Sequence, residues 1–96
     1  MNIQFHQNPI VEGAPLQDET ILFHSATNKF CVLNTTSSFI WSELRKPATA
    51  EEIAERISLS FRGVTTAEAL GDVDSILQEM LSLDLVVGAQ ASGSTN

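Results

Sequence analysis

Apolar positions change their spacing part-way along this chain. Between Thr20 and Leu33 they fall in two short β-type runs, Thr20-Ile21-Leu22-Phe23-His24 and Lys29-Phe30-Cys31-Val32-Leu33. The connector Ser25-Ala26-Thr27-Asn28 is turn chemistry, so the pair predicts a hairpin. Upstream, Ile10-Val11 is a candidate short strand, and Pro15 suits an edge strand or its end. After Asn34 the spacing becomes helical. Asn tolerates turn geometry, and the hydroxyls of Thr35, Thr36, Ser37 and Ser38 can accept from free N–H groups at a helix start. The segment therefore predicts a strand, a tight corner and a helix carrying Phe39, Ile40 and Trp41, from about Thr36 to Arg45. Lys46-Pro47 stops it, because Pro lacks the N–H and disfavours helix before it.

A second helix is signalled by Thr49 followed by Ala50-Glu51-Glu52, a capping box with acids in the first turn. Ile53, Ala54, Ile57 and Phe61 form its inner face, and Arg62-Gly63-Val64 breaks it. Thr65-Thr66-Ala67-Glu68 starts a third helix, along which Leu70, Val73, Ile76, Leu77, Met80 and Leu81 recur at helical spacing. Leu85-Val86-Val87 is a candidate terminal strand. Strands first and helices afterwards predict an α+β domain of winged helix-turn-helix type. One domain is expected over residues 1–88, with 89–96, small and polar, as a flexible tail.

Composition narrows the function. Ninety-six residues suit one small core. A net charge of −7 repels phosphate backbones and argues against nucleic acid. The third helix reinforces this: it carries Glu68, Asp72, Asp74 and Glu79, and neither Lys nor Arg occurs after Gly63. A winged-helix DNA reader needs cations and amides there, so DNA binding is kept only as an alternative. One Cys, no secretion signal and no apolar stretch of bilayer length lead to the expectation of a cytoplasmic protein without membrane contact.

Catalytic chemistry finds little support. His6 and His24 lie in different segments, and His24, at a strand end, is expected to be solvent-exposed. Cys31 is expected to be a buried, unreactive thiol among apolar neighbours. Asp72 and Asp74, two apart on a helix, diverge. Neither metal spacing nor a Gly-rich phosphate loop is present. The expectation is a non-enzyme with no metal or cofactor.

What remains is binding by backbone and groove. An exposed strand edge offers N–H and C=O groups that an extended peptide completes, with alternate side chains entering pockets. Lys29 to Leu33 is the candidate edge, and the apolar side of the third helix the candidate groove floor, with a purely core role for Phe30, Val32, Val73, Ile76, Leu77 and Met80 as the competing reading.

Taken in order, Leu33-Asn34, Ile40-Trp41-Ser42-Glu43-Leu44, Thr49-Ala50-Glu51-Glu52-Ile53, Asp72-Val73-Asp74-Ser75-Ile76-Leu77 and Leu85-Val86 resemble the PqqD-like family, the recognition elements that bind leader peptides of ribosomally made, post-translationally modified peptides (RiPPs). The resemblance covers about Thr20 to Val87. It implies a three-stranded antiparallel sheet followed by three helices, with the leader docking as an added strand between the third strand and the third helix. By position it implies peptide contacts at Lys29, Phe30, Cys31, Val32 and Leu33, facing Asp72, Val73, Ile76, Leu77 and Met80. The corner Leu33-Asn34-Thr35-Thr36-Ser37 is similar to that of stand-alone elements in lasso-peptide pathways, where Leu-Asn-x-Thr-Gly is common; Ser37 stands where that pattern has Gly. The implied partners are a precursor peptide and a leader-removing cysteine protease or another modifying enzyme. Members serving pyrroloquinoline quinone synthesis tend to carry Pro-Glu-Gly before the third strand and Gly-Trp after the last helix. Ala26-Thr27-Asn28 and Asp84-Leu85 occupy those places here, so a peptide chaperone of that or a related radical-enzyme pathway is the second alternative.

Overall fold

The computed structural model describes residues 3–90. In chain order its elements are β1 (Ile3–Gln7), β2 (Val11–Leu16), β3 (Glu19–His24), β4 (Lys29–Leu33), α1 (Thr35–Glu43), β5 (Ala48–Thr49), α2 (Ala50–Ser60), α3 (Thr66–Ser82) and β6 (Val86–Gln90). The expected three-stranded antiparallel sheet is β2-β3-β4, and the three helices follow it. A second sheet of order β5-β1-β6 is an addition that periodicity does not foreshadow. β1 holds only two apolar residues, Ile3 and Phe5, and it finds its main partner, β6, at the far end of the described chain. Ala89 and Gln90, assigned above to the tail, pair in β6 with Gln4 and Ile3. The rest of that expected tail, 91–96, lies outside the described residues.

Local chemistry sets the element ends. At the corner after β4, Asn34 is the α1 cap, its Oδ1 accepting from the Ser37 N–H at 2.9 Å. The Ser38 hydroxyl donates to the Leu33 carbonyl at 3.2 Å, tying the helix start to the strand end. The capping box at Thr49 and Glu52 is complete, with contacts of 3.1 and 2.8 Å. Thr65 and Glu68 repeat it at the start of α3. Each box satisfies two N–H groups that the helix itself cannot.

The helices and the inner faces of both sheets enclose one core, in which Leu22, Ile40, Leu44, Ile53, Val73 and Leu77 are fully buried. Trp41 is also buried and presses on β2 at Gly13, where an added Cβ would stand 3.0 Å from the indole Nε1. Side chains alternate along β3 and β4. Leu22, His24 and Leu33 turn inward, while Phe30 and Val32 stand outside at 72% and 59% exposure.

Candidate functional site

β4 pairs with β3 on one side only, so among the described residues its other side is an open sheet edge. Alternate residues along that edge leave N–H and C=O groups for a partner. Beside the edge runs a groove whose other wall is α3. One hollow of about 200 Å³ lies between Cys31, Val32 and Leu33 on β4 and Ile76, Glu79 and Met80 on α3, with Asn34 and Ser37 of the corner at its end. A second, of about 360 Å³, continues past Lys29 and Phe30 toward Ser82, Leu83 and Asp84. The two share Cys31, Leu83 and Leu85, so the groove follows the whole strand.

The expected site residues divide between this groove and the core. Lys29, Phe30, Cys31, Val32 and Leu33 all line it, although Phe30 and Val32 send most of their surface to the outer face of the sheet. Ile76, half-buried, and Met80, almost wholly buried, form its α3 side. Val73 and Leu77 do not reach it. Both are completely buried in the core. Asp72 is exposed on α3 outside the groove lining. Glu79, Leu83 and Leu85 line the groove and are absent from the expected set. The spacing 76-79-83 marks the first two, because positions three and four apart share a helix face.

The floor at Leu83-Asp84-Leu85 is clamped from two sides. Contrary to the sequence expectation, His24 is buried. Its Nδ1 accepts from the Thr27 N–H at 3.3 Å, which leaves Nε2 as the donor to Asp84 Oδ2 at 3.0 Å. Asn8, also buried, donates from Nδ2 to the Asp84 carbonyl at 2.9 Å, and its N–H donates to the Leu85 carbonyl at 3.0 Å. Asp84 needs this support because its φ of 60° lies in the left-handed region.

Cys31 is half-buried at the meeting of the two hollows. Burial pushes its thiol above the ordinary value, and the nearby Glu79 carboxylate pushes the same way. The group therefore stays a neutral, weakly polar part of the floor. Among the described residues no cluster of His, Cys, Asp and Glu gathers as a metal ion would require, and no helix is long and apolar enough to cross a membrane.

The family model described as coenzyme PQQ synthesis protein D (PqqD) matches residues 19–86, from the start of β3 to the start of β6. The chain belongs to the PqqD family. The match holds both walls of the groove and omits β1, which lies before it. No curated protein matches this PqqD-family chain. Two solved structures share its fold. TbiB1 in complex with the TbiA(beta) leader peptide superimposes with a TM-score of 0.77 at 24% identity, covering 93% of this chain and 99% of that one. Lasso peptide synthetase B1 complexed with the leader peptide gives a TM-score of 0.74 at 17% identity, covering 86% and 96%.

Proposed function

We propose that this protein is a non-catalytic adaptor that captures the leader of a ribosomal precursor peptide and delivers it to a modifying enzyme. The observation that carries the reading is the open β4 edge set against an apolar groove walled by α3. The leader adds to β4 as a fourth strand. Its main chain completes the free N–H and C=O groups, and alternate side chains enter the groove over Cys31, Leu33, Ile76, Met80, Leu83 and Leu85. The intervening side chains lie on the outer face beside Phe30 and Val32 and share their apolar surface. Backbone pairing supplies affinity with little dependence on sequence, and the groove supplies selection.

The similar structures support this reading, since both are complexes with leader peptides and one of them is of a lasso peptide synthetase B1. On this reading the protein serves a lasso-peptide pathway, with a leader-removing cysteine protease as the enzyme partner and the cytoplasm as the compartment. Holding the leader raises the local concentration of the core peptide at that enzyme, a gain that needs no catalytic group on the adaptor.

The test is fluorescence anisotropy of a labelled leader from the precursor peptide encoded beside the gene, with a scrambled leader and a random DNA duplex in parallel. Saturable binding of the leader alone is expected. A silent leader with a responding duplex would move the function to DNA.

A further inference from the structure

Glu79 is out of place in the groove. Its neighbours on the same side of α3 are Ile76, three positions before it, and Leu83, four after, and both line the groove with it. Its main-chain carbonyl is engaged, by the Leu83 N–H at 3.1 Å and the Ser82 hydroxyl at 2.7 Å. Its carboxylate takes part in neither of the ion pairs among the described residues, His24–Asp84 and Arg56–Glu43. Glu79 lines the same hollow as Cys31 of β4, and its charge is near enough to push that thiol upward, second to burial. Lys29 is the one Lys or Arg lining either hollow, and it lines the hollow that Glu79 does not. An uncompensated carboxylate facing a peptide edge penalises an acidic side chain at that register and favours a basic one.

We infer that Glu79 is a specificity-determining residue that selects a leader carrying Lys or Arg at the position entering the groove opposite it. The inference rests on the leader-binding reading and adds the chemistry of one leader position. A basic side chain suits the place in two ways. Its aliphatic stem lies over Ile76 and Leu83, and its head group meets the carboxylate. Because alternate residues of a strand face one side, the selected leader carries this cation two residues from a groove-facing apolar residue. The contact lies in an open groove, so it sets preference at one register rather than most of the affinity, with a change of about fivefold on its loss.

A displayed library of random peptides long enough to cover β4, selected on the full-length protein and on Glu79→Gln and Glu79→Lys, tests this. Glu79 is exposed, so both variants keep the fold, which circular dichroism checks. The wild type is expected to enrich Lys or Arg at one register beside apolar residues at two-residue spacing. Glu79→Gln is expected to lose the basic preference and keep the apolar pattern, and Glu79→Lys to turn the preference toward Asp and Glu. A wild-type peptide carrying the cation should bind Glu79→Gln about fivefold more weakly at low salt, with the difference shrinking at high salt. Apolar enrichment with the same charge profile in all three proteins overturns the role of Glu79 and leaves the groove standing. No enrichment by the wild type overturns both.

Discussion

His24 and Asp84, separated by 60 positions, are joined by a 3.0 Å contact between Nε2 and Oδ2 that ties the end of β3 to the corner between α3 and β6. The same corner lines the groove, so the clamp links the stability of the domain to the shape of its binding surface. Among the described residues Asp84 is also one of three other than Gly with positive φ. Asp84→Ala is expected to lose the contact, leave a buried imidazole donor without its partner, and place Ala in an unfavoured conformation. The expected cost is about 1–3 kcal/mol by urea denaturation. Asp84→Asn, which keeps an acceptor and tolerates the backbone, should cost less than half as much. An Asp84→Ala protein of unchanged stability would show that the contact contributes nothing.

Ile76 and Met80 separate groove from core. Ile76 is half-buried and Met80 almost wholly so. Ile76→Asp should therefore stay folded and bind leader at least tenfold more weakly. Met80→Asp should be destabilised by about 3 kcal/mol or more, because it buries a charge without a partner. Thermal melts and leader titrations on both variants check the division. If Ile76→Asp unfolds, that residue belongs to the core.

Trp41 and Gly13 meet where α1 packs on β2. Removing the indole by Trp41→Ala should cost about 3–5 kcal/mol, close to the whole stability of a domain this size. Gly13→Val approaches the same contact from the other side. Its Cβ would also lie 3.2 Å from Leu22 Cδ2, and overpacking of this kind costs about 1–3 kcal/mol. Denaturant unfolding measures both, and a Gly13→Val protein of unchanged midpoint would contradict the packing described.

Cys31 offers a pH readout. Its pKa is raised in the folded state, so on unfolding the thiol ionises more readily. Its contribution to stability is present below the unfolded thiol's pKa and is lost as pH climbs through the folded value. Alkylation of the native protein by iodoacetamide should be slower than that of a free thiol at the same mildly alkaline pH. It should slow further when leader covers the groove and quicken in Glu79→Gln, which removes one of the two causes of the shift. Reaction at the rate of a free thiol would place Cys31 outside the groove floor.

What the sequence made legible was local. The hairpin from Thr20 to Leu33, the Asn34 corner, the capping box at Thr49 and the helix start at Thr65 are written in neighbouring residues, and all are present. The second sheet was hidden because β1 and β5 acquire their meaning from distant partners, as in the pairing of Phe5 with Gly88 and with Ala48. His24 was misjudged for the same reason: its burial depends on Asp84, 60 positions on. On α3 an apolar stripe cannot by itself tell groove from core. Val73 and Leu77 are buried in the core, while Glu79, set aside as one acid among several, lies in the groove.

Strand addition at β4 is tested most directly by amide hydrogen exchange of the full-length protein with and without saturating leader peptide. Alternate N–H groups of Lys29 to Leu33, those facing the open edge, should exchange much more slowly in the complex, while those already paired with β3 change little. Leader binding that leaves every β4 amide exchanging as before would contradict the account.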